Sequence, residues 1–138
     1  MKNYYDQQQE LQIALYRLES LENKRQILFE RTQPSTTDYS KEFVEGGVHK
    51  DLMTEYVMKI ESLDMEIEDL HREIEMLENY LKKMANSLRS MKDHLNKIFV
   101  AKYIDDLDVV EIAEKFNYSA SHIYRELQII RKILKGSN

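Results

Sequence analysis

A stretch near the C-terminus carries side chains that can recognise nucleic acid. From Ser119 to Asn138 the chain holds four basic residues and one acidic residue, a local charge of +3. Arginine can form paired hydrogen bonds with guanine and glutamine with adenine, while Ser, Tyr and Lys can hold phosphate. The candidate DNA-binding residues are Ser119, Ser121, His122, Tyr124, Arg125, Gln128 and Lys132. The alternative without a binding function is that these residues form the solvated face of an ordinary helix.

The residues around this stretch have the pattern of a helix-turn-helix. Two short helices that cross steeply need a small residue at their closest approach, and Ala113 supplies it. Four residues later, Asn117 tolerates the positive φ that the turn requires, and Ser119 can cap the second helix. The side chains expected to close the small core are Ile112, Phe116, Ile123 and Leu127. We therefore predict that the first turns of the second helix enter the major groove of DNA.

Residues 95–135 also resemble region four of bacterial sigma factors. The likeness lies in Leu-Asn-Lys-Ile-Phe-Val-Ala-Lys-Tyr, in Val-Val-Glu-Ile-Ala-Glu-Lys-Phe-Asn-Tyr-Ser, and in the following Ile-Tyr-Arg and Leu. It is strongest toward the small sigma-like regulators encoded by phages and prophages of low-GC Gram-positive bacteria. The resemblance implies a transcription regulator that binds promoter DNA, with RNA polymerase as a further candidate partner. The sequence departs from the family pattern at Asn117, where Gly is usual, and at Glu126, where many relatives have an apolar residue.

A long amphipathic pattern precedes this module. From Met53 to Ile98, fourteen apolar residues recur at alternating intervals of three and four, which is a sustained heptad seam. A shorter stripe from Leu11 to Leu28 follows the same rhythm, with Arg25 as its one polar member. We predict an all-α protein in which a long antiparallel helical hairpin, or coiled coil, is followed by a C-terminal helix-turn-helix. The predicted domains are 1–84, with a loop at 32–47, and 85–138.

The two predicted helices of the hairpin differ in length. At about 1.5 Å per residue, a helix over 48–98 would be roughly 75 Å long and a helix over 4–31 only about 40 Å. The uncovered seam must pack on the DNA-binding module or on another subunit, and we favour a homodimer or a higher helical assembly. The alternative is a monomer whose second helix breaks near Asn86-Ser87 and folds back. The candidate oligomerisation residues are Leu70, Ile74, Leu77, Leu81, Met84 and Leu88.

Composition narrows the class of protein further. The absence of Cys excludes disulfides and thiolate chemistry, which fits a reducing cytoplasm, and no apolar run is long enough for a membrane span. The net charge of −5 is unevenly distributed. Residues 48–81 hold three basic and ten acidic residues, whereas residues 82–97 hold five basic and one acidic. Such a bipolar chain can bind phosphate at its basic end.

Other chemistry finds little support in the sequence. The four histidines lie far apart and share no ligand spacing, so we expect no metal and no cofactor. No phosphate-binding glycine loop and no nucleophile–base pair occurs, so we expect that the protein is not an enzyme. Two alternatives to a transcription regulator stay open. One is a phage DNA-packaging protein of the small-terminase kind, and the other is a coiled-coil module that binds protein.

Overall fold

The computed structural model describes the backbone of residues 1–32 and 47–136 and the side chains of residues 1–31 and 52–136. All regular structure in these ranges is helical, which confirms the all-α prediction. The elements are α1 (Lys2–Thr32), α2 (Gly47–Ser90), α3 (His94–Phe99), a π-helical segment (Val100–Ile104), α4 (Val109–Phe116) and α5 (Ala120–Leu134). The predicted loop at 32–47 falls, apart from its two end residues, outside the described residues.

The chain divides into two compact units. One comprises Gln12–Glu75, and the other comprises Met1–Leu11 together with Met76–Asn138. The N-terminal eleven residues therefore belong with the helix-turn-helix region in three dimensions. The predicted division into domains 1–84 and 85–138 concerns independent folding, and it stays a prediction.

In the unit 12–75, α1 and α2 pair in antiparallel directions. The guanidinium of Arg25 hydrogen-bonds Asp64, with its Nε 2.5 Å from Oδ1, and Glu22 lies 3.9 Å from His71. As residue numbers fall along α1 they rise along α2, which is the predicted hairpin direction. Ala14 and Leu70 are buried at 3% exposure each, so the apolar stripes do face each other within this unit. Arg25, the one polar residue in the apolar stripe of α1, forms an ion pair with Asp64, which explains its presence there.

The seam of α2 ends differently from the prediction. Instead of continuing to Ile98, α2 stops at Ser90, and α3 begins at His94. The carboxylate of Asp93 accepts a hydrogen bond of 3.2 Å from the Asn96 amide, so Asp93 caps the new helix. An Asp at this position satisfies an amide that would otherwise lack a partner, which favours a helix start here. The single helix expected over 48–98 is therefore wrong over its last eight residues, 91–98. The break lies after Ser90, a few residues beyond the Asn86-Ser87 pair near which the alternative placed it.

Four of the six predicted oligomerisation residues are buried within the chain itself. Leu70, Ile74, Leu81 and Leu88 are buried, while Leu77 and Met84 are partly buried. Leu81 and Leu88 belong to the same apolar core as Ile98, Phe99 and the helix-turn-helix. Packing inside one chain thus accounts for their apolar character. Their role between subunits stays a prediction.

Within the described part of the chain, no helix combines the length and the apolar character needed to cross a membrane.

Candidate nucleic-acid interface

The two helices of the predicted helix-turn-helix are α4 and α5, and each has a defined start. Asp108 caps α4 through a reciprocal capping box, because its carboxylate accepts from the Glu111 amide at 2.8 Å while the Glu111 carboxylate accepts from the Asp108 amide at 3.3 Å. Ser119 caps α5, and its Oγ accepts from the His122 amide at 3.2 Å. The predicted capping role of Ser119 is therefore confirmed in its geometry.

The turn between the helices uses Asn117 as predicted. Asn117 has φ 59° and ψ 44°, the left-handed conformation that Asn tolerates better than most residues. The amide of Tyr118 then donates to the carbonyl of Ala113 at 3.0 Å, which closes the end of α4. Ala113 itself is only 9% exposed. A small residue is thus present where the chain turns back on α4.

A tight apolar core fixes the rotation of α5. Ile123 and Ile130 are fully buried, Leu127 is 1% exposed, and Leu134 is 7% exposed. These residues pack with Ile112 of α4 and with the buried residues of α3. Because Leu127 faces the core, its neighbour Glu126 is left at the edge, with 17% of its side chain exposed. The apolar positions therefore settle which face of α5 is turned outward.

The outward face of α5 carries most of the predicted DNA-binding residues. Ser121, Tyr124, Arg125, Gln128 and Lys132 are all exposed, and they recur at the three- and four-residue intervals of one helix face. Among the described residues, none forms an ion pair with Arg125 or Lys132. Their charges are therefore available to a ligand.

His122 differs from the other predicted contacts. Its side chain is 32% exposed, and its ring stacks on Tyr118 with the centroids 4.4 Å apart. His94 is also near, with its ring centroid 6.0 Å from that of His122 and 5.1 Å from that of Tyr118. The prediction of His122 as a base contact is untested, and the imidazole is held beside these rings and Glu126.

Two features of the module were not visible in the sequence pattern. The N-terminal Tyr4 is buried against Phe99, with the rings edge to face and their centroids 6.0 Å apart. Arg89, at the end of α2, pairs with Asp105, in the acidic segment before α4, at 2.6 Å. The hydrogen bond from Arg89 lowers the pKa of Asp105 below its ordinary value of 3.8. Both contacts join residues far apart in sequence, so no local pattern could have shown them.

Comparison with known proteins agrees with this geometry. A family model described as ECF sigma factor matches residues 45–137. No curated protein and no solved structure shows a significant match. The match covers about two thirds of the chain and includes α2, the capped helices α4 and α5, and the turn at Asn117. The chain therefore belongs to the ECF sigma factor family, and its C-terminal module is a DNA-binding unit of the sigma region-four kind.

Proposed function

We propose that the protein is a sequence-specific transcription regulator that inserts α5 into the major groove of promoter DNA. The observation that carries the proposal is the exposed face of Ser121, Tyr124, Arg125 and Gln128 on a helix whose opposite face is buried in a core. A recognition helix needs both properties, because base edges are read at a fixed rotation of the helix. Arg125 forms no ion pair with any residue that the structure describes.

Each side chain of this face has a chemical task in the proposal. Arg125 forks onto O6 and N7 of guanine, and Gln128 pairs with adenine. Lys132, one turn further along, binds phosphate and sets affinity without reading sequence. Ser119 uses its hydroxyl oxygen for the cap, which leaves the hydroxyl hydrogen for a phosphate oxygen at the start of α5. His122 acts indirectly, by holding the first turn of α5.

The family and the residue pattern both support the proposed partners. Family membership supports promoter DNA as the ligand, with RNA polymerase as a further partner. The sequence pattern of residues 95–135 supports a regulator of the phage or prophage class. A DNA-packaging role or a purely protein-binding role would use the same helices, and the experiment below separates these functions.

The test is an unbiased selection of duplex DNA by the purified wild-type protein. We expect one enriched motif and an affinity for it that falls steeply with salt, because bound phosphates release counterions. Recovery of random DNA without a motif would contradict sequence-specific regulation and favour genome handling. Failure to bind any duplex at low salt would leave protein binding as the function of the module.

We also propose that the protein self-associates through the unit 12–75. Large apolar side chains are exposed there, among them Ile13 at 55%, Tyr16 at 71%, Met58 at 64% and Met65 at 66%. Burying such side chains between two copies would remove apolar surface from water. Light scattering should give at least a dimer. A monomer at the concentrations used for DNA binding would contradict this proposal and leave DNA recognition unaffected.

A further inference from the structure

Three potential metal ligands meet between α3 and α5. His94 is the first residue of α3, while His122 and Glu126 lie one turn apart on α5. His122 Nε2 is 3.4 Å from a carboxylate oxygen of Glu126, and one ligand atom from each of the three residues lies within 4.8 Å of the other two. Helical spacing of four places the second and third ligands on one face. The fold supplies the first from 28 positions earlier in the sequence.

Two polar atoms of this cluster lack hydrogen-bond partners among the described residues. Nε2 of His94 and Nε2 of His122 are both shielded from solvent, and neither forms a hydrogen bond within the described structure. The 3.4 Å approach of His122 to Glu126 is close enough for an ion pair but does not have hydrogen-bond geometry. Buried polar atoms are normally satisfied, and an orphaned pair calls for an unseen water or ion. Two imidazole lone pairs beside a carboxylate favour a positive charge between them.

We propose that His94, His122 and Glu126 bind a divalent transition-metal ion of the Zn²⁺ class. Two imidazoles and one carboxylate are a donor set that Zn²⁺ accepts, with water in the fourth position. With metal–ligand distances of about 2.0–2.1 Å, tetrahedral ligands lie about 3.3 Å apart. The separation of 3.4 Å between His122 and Glu126 already meets this requirement. The ligand atom of His94 lies within 4.8 Å of the other two.

The aromatic side chain of Tyr118 orients both imidazoles. Its ring is stacked on His122 at 4.4 Å and meets the ring of His94 edge to face at 5.1 Å. These contacts restrict the rings before any ion arrives, so less side-chain freedom is lost on binding. An ion held here would tie α3 to the start of α5. Because the unfolded chain cannot assemble the three ligands, binding would stabilise the module.

The experiment uses the untagged full-length protein after treatment with a chelator. We expect calorimetry to give one Zn²⁺ per chain, and Co²⁺ in its place to show the visible absorption of a tetrahedral site. Zn²⁺ should also raise the melting temperature. Losing a direct ligand should cost at least as much affinity as losing an outer-shell partner, so His94→Gln and Glu126→Gln should each bind Zn²⁺ more weakly by about 100-fold or more.

The matched control is His71→Gln, which removes an exposed histidine in the other unit, 3.9 Å from Glu22. It should bind Zn²⁺ like the wild type. Circular dichroism of the metal-free variants checks folding, and Glu126→Gln, which preserves side-chain shape, decides the matter if a histidine variant does not fold. Absence of stoichiometric binding by the wild type would overturn the proposal. Unchanged affinity in both ligand variants would equally overturn it, because the ion would then bind elsewhere.

Discussion

Replacing Tyr4 by alanine should strongly destabilise the unit that contains the DNA-binding module. Tyr4 lies near the start of the chain, yet only 7% of it is exposed, and its ring meets Phe99 edge to face. It belongs to the core that includes Leu81, Leu88 and the buried residues of α5. Tyr4→Ala would therefore open a cavity in the same core that sets the rotation of α5.

The magnitude follows from the area that is lost. Aromatic side chains bury roughly 150–250 Å² each. At about 25 cal/mol per Å², that area corresponds to roughly 4–6 kcal/mol. The alanine methyl retains part of this, and the unfolded chain is already partly collapsed, which lowers the figure further. We expect Tyr4→Ala to reduce the free energy of unfolding by about 3–5 kcal/mol, the usual range for a buried aromatic residue.

Urea denaturation followed by far-ultraviolet circular dichroism measures this change, with the midpoint shifting at a nearly constant slope. Tyr124→Ala is the matched control, because Tyr124 is 55% exposed and lies in the same unit as Tyr4; we expect it to change stability by no more than about 0.5 kcal/mol. Tyr4→Phe removes only the hydroxyl, whose burial raises the pKa of Tyr4, and should stay within about 1 kcal/mol of wild type. A Tyr4→Ala protein as stable as Tyr124→Ala would refute the packing of the N-terminus on this core.

Three further predictions concern the same unit. Ala113→Leu should wedge α4 from α5 and cost about 1–3 kcal/mol, so that melting temperature and DNA affinity fall together; unchanged values of both would place the helix-turn-helix elsewhere. Asp105→Asn should lower stability at neutral pH, and because the folded pKa of Asp105 is depressed below 3.8, the gap to wild type should close as the pH falls through that pKa. Asp106→Asn is its control, since Asn also tolerates the φ of 56° at that position, and a gap independent of pH would exclude the ion pair as its cause. Leu81→Glu should place an unpaired charge in the core at a cost of at least about 3 kcal/mol, and a cooperative, wild-type-like unfolding curve would contradict its burial.

Local chemistry made the helix-turn-helix predictable from the sequence. Asn117 and Ser119 are among the few residue types that suit a left-handed turn and a helix cap, so their positions identified the turn before any tertiary contact was considered. The spacing of Ile123 and Leu127 likewise indicated the buried face of α5, and both are buried.

The remaining features depend on contacts between distant residues. The heptad rhythm runs through Met91 and Leu95, so it could not reveal that Asp93 starts a new helix there. Apolar periodicity reports which side chains are buried and leaves open whether the covering surface belongs to the same chain. The proximity of His94 to His122 also depends on a contact between residues that are distant in the sequence. His122 and Glu126 show a helical interval of four, but their third partner is placed only by the packing of α3 on α5.

The most direct test of DNA recognition by α5 is the affinity of Arg125→Ala for the selected motif and for its single-base variants, at one fixed salt concentration. We predict that Arg125→Ala loses roughly 1–3 kcal/mol on the motif and no longer discriminates at one base position. Lys132→Ala should weaken motif and random DNA alike and flatten the salt dependence. Arg17→Ala, which removes an equal charge from an exposed position of α1, should bind like wild type. Equal affinity of wild type and Arg125→Ala at every base variant would contradict the account, because α5 would then not be the helix that reads the DNA.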